Sequence, residues 1–181
     1  GTGALFNDYK YITTKSGSIN KWGVIATEIG LYYVDAYNKA FMLISGSGVK
    51  NASDEQEFHK EFQEIIDLDV VSIDNPLKLK GVSIGFDHIT KDVYVSIFKN
   101  NGLCTTYSYN EISEGFTSEY DYNSPMYIFN KKEMLSISPY NGGLGYKFFE
   151  GKHNVFYGVN KPSLYSVILS PEPTTECIFN N

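Results

Sequence analysis

Short runs of apolar residues, alternating with polar ones and broken by Asn, Asp, Gly and Thr, dominate the chain and predict strands more than helices. One arrangement of them returns three times. Gly30-Leu31-Tyr32-Tyr33-Val34-Asp35 turns through Asn38-Lys39 into Phe41-Met42-Leu43-Ile44, and Ile84-Gly85-Phe86-Asp87 turns through Thr90-Lys91 into Val93-Tyr94-Val95. A shorter copy runs from Tyr127-Ile128-Phe129 through Asn130-Lys131-Lys132 into Met134-Leu135. The turn lysines Lys39, Lys91 and Lys131 are 52 and then 40 residues apart, the recurrence expected of stacked blades or β-meanders. Each turn is predicted to join two antiparallel strands.

The period changes once, between Ser53 and Asp67. Phe58, Phe62, Ile65 and Ile66 recur at the spacing of one helical face, and Ser53 with Gln56 forms a candidate capping box. Phe58 and Phe62 are expected to pack on a sheet, while Glu57, Lys60, Glu61 and Glu64 fall on the solvated side. Val70-Val71-Ser72-Ile73 reads as a short strand and Asn75-Pro76 as a turn. Further strands are expected at Val82–Phe86, Val93–Phe98, Cys104–Tyr109, Tyr127–Phe129, Met134–Ile137, Tyr146–Phe149, Val155–Tyr157 and Leu164–Leu169. Pro171-Glu172-Pro173 then ends any ladder, because proline lacks the donor.

The fold class is therefore all-β and mainly antiparallel with one short helix, built of repeated hairpins or meanders in the manner of propeller blades. Residues 1–21 read as a leading strand and loop, 22–138 as the repeated hairpin body with its helix near 53–67, and 139–181 as a β return segment. At 181 residues the chain suits one continuous domain. Its opening Gly1-Thr2-Gly3 reads as an added overhang or as a cut within a longer protein.

Composition narrows the function classes. Fifteen Tyr and twelve Phe against a single Trp favour half-buried pleated surfaces. A formal net charge of -6 offers no basic footprint for nucleic acid. No apolar run reaches the roughly 20 residues of a membrane span. Cys104 and Cys177 are too few for a disulfide scaffold and are read as buried thiols.

Several segments in order resemble the large tail (muzzle or stabilization) protein family of crAss-like bacteriophages. They are Ser16-Gly17-Ser18-Ile19-Asn20-Lys21-Trp22 before the Gly30 to Phe41 hairpin, Gly85-Phe86-Asp87 with Val93-Tyr94, and Thr106-Tyr107-Ser108-Tyr109-Asn110-Glu111. Phe116-Thr117-Ser118-Glu119-Tyr120-Asp121-Tyr122, Phe156-Tyr157-Gly158 and Leu169-Ser170-Pro171-Glu172-Pro173 continue the match. The resemblance implies an interior section of a much longer virion protein near the distal end of a short tail, with propeller-like blades assembled in a ring. Its implied partners are copies of itself and other phage tail proteins, joined in the bacterial host cytoplasm.

Candidate chemistry is sparse. His59, His88 and His153 are scattered, and zinc needs convergent ligands, so no metal and no cofactor is assigned. Asp35 and Asp87 occupy equivalent turn positions, where Asp bonds its own backbone; calcium coordination is the alternative. Glu111, Glu114, Glu119 and Asp121 are carboxylates that a glycosidase would need in pairs, with solvated surface acids as the plainer reading. No nucleophile elbow and no phosphate loop is present, the glycine-rich Asn141–Gly145 stretch lacking the lysine. No catalytic residue is assigned. Trp22, Tyr107, Tyr109, Tyr120 and Tyr122 are the candidate contacts for a protein interface or a glycan, although the i, i+2 pairing of the tyrosines makes sheet-face core packing the default. The reading is a non-enzymatic structural component of a phage tail mediating assembly; the alternative is a carbohydrate-binding or glycan-degrading domain acting on host surface polysaccharide.

Overall fold

The computed structural model describes residues 11–140, 143–148 and 150–164. Residues 1–10, the Asn141-Gly142 pair, residues 165–169 of the last expected strand, the Pro171–Pro173 stop and Cys177 lie outside them. The chain divides into two compact units, residues 1–150 and 151–181.

In the first unit, the strands pair in chain order. β1 (Val24–Ala26), β2 (Gly30–Asp35), β3 (Ala40–Ser45) and β4 (Gly48–Asn51) form one antiparallel four-stranded meander. A 3-10 turn (Ala52–Glu57), α1 (Phe58–Ile65), α2 (Leu68–Val71) and a second 3-10 turn (Pro76–Lys78) follow. β5 (Val82–Asp87), β6 (Asp92–Phe98), β7 (Cys104–Asn110) and β8 (Gly115–Tyr120) make a second four-stranded meander. β9 (Tyr127–Phe129), β10 (Met134–Ile137) and β11 (Gly145–Lys147) make a third sheet of three. All three turns expected from the repeat join antiparallel strands. In the second unit β12 (Val155–Phe156) pairs with β13 (Val159–Asn160), and Asn154 accepts from the Lys161 amide (2.6 Å) and the Ser163 hydroxyl (2.8 Å).

The hairpins share one local device. An Asp or Asn at the start of the turn accepts from the amides that follow: Asp35 from Asn38 N (3.0 Å), Asp87 from Ile89 N (2.8 Å), and Asn130 from Lys132 N and Glu133 N (2.8 and 3.0 Å). Such Asx contacts replace the ladder bonds that a reversing chain must give up. Lys39 and Lys91 close their turns in the left-handed region at φ 50° and 62°. A further copy, which the sequence reading missed, joins β7 to β8: Asn110 Oδ1 accepts from Ile112 N and Ser113 N, and Glu114 closes the turn at φ 51°.

The repeated hairpins are out of step with the sheets by one strand. The first copy forms strands two and three of its meander; the second forms strands one and two. Moving a hairpin one place along an antiparallel meander inverts it, so its side chains point to the opposite face. Equivalent residues therefore meet across one core: Tyr32, Val34, Phe41 and Leu43 from the first sheet, Ile84, Phe86, Val93 and Val95 from the second. The other face of the second sheet packs on the third, where Tyr94 meets Tyr127, Met134 and Phe148. With both faces covered, β5 is buried along its whole length. The first strands of the three sheets adjoin, β1 beside β5 and β5 beside β9, and Ile84 N donates to Trp22 O at 2.9 Å.

The helix closes the space between the first two sheets. Phe62 is wholly buried, its ring 6.2 Å from that of Phe41 and 5.6 Å from those of Tyr107 and Phe116. Half-buried Phe58 stacks on Phe116 at 4.4 Å. Burying one such ring contributes about 1.5–3 kcal/mol. The Ser53 hydroxyl accepts from Phe41 N (3.1 Å) and donates to Asn51 Oδ1 (2.6 Å), tying the segment to β3. One expectation about this region is corrected. The stretch Val70–Ile73 is not a strand. Asp67 accepts from Asp69 N and starts α2, which buries Val70 and Val71. That burial outweighs the modest strand preference of β-branched residues.

Candidate functional site

The five aromatic candidates divide by burial. Tyr107 and Tyr109 point from β7 into the core between the first two sheets and are 2% and 1% exposed. Tyr109 meets Tyr32, Phe41 and Phe116, while Tyr107 meets Phe58, Phe62 and Phe116. Burial, reinforced by nearby Glu119 and Glu61, pushes the Tyr107 phenol above its usual range. Tyr122 is buried too, its ring tilted 5.3 Å from that of half-buried Tyr120 beside the third sheet. Trp22 alone keeps a large exposed surface, 41%, with the Lys21 ammonium 5.3 Å above its ring.

The candidate carboxylates are dispersed. Glu111 is buried and accepts from Thr27 Oγ1 at 2.5 Å, whereas Glu114 is exposed and paired with Lys50 at 3.2 Å. Glu119 and Asp121 are exposed. Asp35 is buried and saturated: Ser16 Oγ, Gly17 N, Asn38 N and Asn38 Nδ2 all donate to it. Burial pushes its carboxyl up, but these bonds outweigh it and hold the group below its usual value. Among the described residues no three His, Cys, Asp or Glu side chains converge on a common metal position. Cys104 is buried, and desolvation pushes its thiol up to about 11, which leaves little of the reactive thiolate. An open depression is lined by Glu64, Ile65, Asp67, Lys99 and Asn100 and holds none of the aromatic candidates.

What the fold does present is a set of locked turn tips. The β1–β2, β5–β6 and β7–β8 turns meet at one end of the first two sheets. Glu28 pairs with Lys91 at 2.8 Å and lies 4.0 Å from His88, Thr27 reaches Glu111, and Glu111 N donates to Lys91 O at 2.9 Å. Ile29, Ile89 and Ile112 stand exposed on these three tips, where polar turn residues are the usual choice. Sequence reading passed over them because each is a lone isoleucine in a polar stretch. The signal was there in retrospect, one isoleucine in each of three Asx-type or Thr-Glu turns.

The residues so placed make a protein of stacked antiparallel meanders whose aromatic side chains fill cores. The chain belongs to the crassvirus muzzle protein family, whose profile matches residues 1–140, from the N-terminal segment through the β9–β10 hairpin. It is similar to the muzzle protein of Bacteroides phage crAss001, with 26% identity over 172 residues. That alignment covers 94% of this chain and 12% of the relative, so the chain spans about an eighth of that protein's length. Among the described residues no helix is long and apolar enough to cross a membrane.

Proposed function

We propose that this section is a non-enzymatic structural part of a phage tail, built into the virion, that mediates assembly with copies of itself and with other tail proteins. The observation that carries the reading is the family match, which takes in the first two sheets and the β9–β10 hairpin of the third. Burial supports it. Tyr107, Tyr109 and Tyr122, whose rings motivated a glycan-binding reading, are used in packing and have little face to offer a sugar. Apolar side chains remain exposed for neighbours, among them Ile29, Ile89 and Ile112 on the three tips and the ring of Trp22.

The test is a screen of the purified chain against gut polysaccharides for hydrolysis and binding, with light scattering for self-association. The expected outcome is concentration-dependent association and no hydrolysis. Hydrolysis that disappears in Glu119→Gln or Asp121→Asn would overturn the reading in favour of a glycan-degrading enzyme.

A further inference from the structure

We infer that Asn101 is a site of spontaneous conversion to aspartate and isoaspartate, and that the β6–β7 turn sets its rate. Asn101-Gly102 and Asn141-Gly142 are the two Asn-Gly pairs of the sequence, and the first lies among the described residues. Where glycine follows asparagine, no side chain shields the next amide nitrogen from the asparagine Cγ. The Gly102 nitrogen attacks Asn101 Cγ, a bond forms between them, and the Cγ–Nδ2 bond breaks. Nδ2 leaves as ammonia with the proton of the Gly102 amide, which closes a cyclic imide, and water then opens the ring. Opening at Cγ leaves aspartate; opening at the main-chain carbonyl carries the chain through the side chain as isoaspartate.

The fold both creates this pair and restrains it. Lys99 N donates to Leu103 O at 2.8 Å and Gly102 N to Lys99 O at 3.0 Å, the bonds of a three-residue hairpin loop made of a type I turn and a left-handed residue. Gly102 is that residue at φ 73°, and a β-carbon there would meet open space. Glycine is therefore required by the backbone conformation and not by crowding. The turn thus demands the residue that makes the asparagine before it reactive. It also engages both reacting groups: the Gly102 amide proton, which must leave before the nitrogen attacks, is bonded to Lys99 O, and Asn101 Oδ1 accepts from Leu103 N at 3.0 Å. Attack waits on local opening of the turn, and Asn101 is exposed, so water reaches the imide once it forms. Isoaspartate adds a carbon to the main chain between Lys99 and Leu103. The turn then cannot close on the same bonds, and Gly102 O, which accepts from Asn123 Nδ2 at 3.4 Å in the connection to the third sheet, is displaced with it.

The chain is held at pH 8, folded or unfolded in guanidinium, and both asparagines are followed by peptide mapping under mildly acidic conditions that separates Asn, Asp and isoaspartate. In the unfolded chain both Asn101 and Asn141 should convert, because each precedes glycine. In the folded chain Asn101 should convert about tenfold or more slowly, the factor expected when two turn hydrogen bonds must open first. Leu103→Pro removes the donor to Asn101 Oδ1 while keeping the Asn-Gly pair, and should bring the folded-state rate at Asn101 towards the unfolded one. Equal rates at Asn101 in the folded and unfolded chain, or an unchanged folded-state rate in Leu103→Pro, overturns control by the turn; the first comparison decides if the variant fails to fold. Absence of conversion at Asn101 in the unfolded chain overturns the site itself.

Discussion

Replacing Gly85 by Ala tests how the third sheet is keyed to the second. Gly85 lies in the middle of β5 on the face turned to the third sheet, and the Tyr127 ring fills the place where a side chain would stand. A β-carbon at residue 85 would sit 2.6 Å from Tyr127 Cβ and 2.9 Å from Cδ1, with Cγ closer still. These atoms are the root of the tyrosine, so rotation of a flexible tip gives no relief. Either β9 backs away or Tyr127 leaves its site. Leaving costs the bond between Tyr127 Oη and Ser96 Oγ (2.6 Å), about 1 kcal/mol, and the stacking on Tyr94 at 6.3 Å, about 0.5–1.5 kcal/mol. Against this stands a gain of up to about 1 kcal/mol from replacing a strand glycine. The net expectation is a loss of about 0.5–2.5 kcal/mol, overlapping the range of overpacked cores. Urea unfolding followed by tyrosine and Trp22 fluorescence would measure it, with a Tm lower by roughly 2–10 °C. The companion Tyr127→Ala empties the site, so Gly85→Ala should cost far less in that background. A Gly85→Ala change within about 0.5 kcal/mol of neutral, or strict additivity with Tyr127→Ala, would refute the keying.

Phe62→Ala removes the ring at the centre of the helix contact and should cost about 3–5 kcal/mol by denaturant unfolding. The Asp35 carboxyl is held low in the folded state, so it contributes stability that is present above the unfolded value of about 3.9 and lost as pH falls through the folded one. Asp35→Asn should accordingly flatten the acid limb of the stability profile and lower stability at pH 7. Cys104 should resist a thiol reagent at pH 8 in the native chain and react on unfolding, as peptide mapping of the labelled protein would show.

The hairpins and the one amphipathic helix were legible in the sequence because they are decided within a few residues. Asp35 and its turn, Asp87 and its turn, and the Phe58–Phe62 spacing each carry their own geometry. Even so, the Asn110 turn escaped notice, because Glu114 stands where the recurring turns carry Lys39 and Lys91. The segment at Val70 was misread because propensity is weak against burial.

Alternation placed Tyr107 with Tyr109 on one face of a strand but left open whether that face was covered; the answer came from the first sheet and α1 packing over it. Strand pairing determined the rest. Only the shift of the repeat by one strand turns equivalent side chains toward each other, and only the stacking of a third sheet makes a glycine at residue 85 a requirement. The sequence by itself specified the turns and the alternation of side chains, because both depend on neighbours along the chain. Which faces are buried, and so which residues remain for partners, was decided by contacts between segments tens of residues apart, whose register local sequence does not encode.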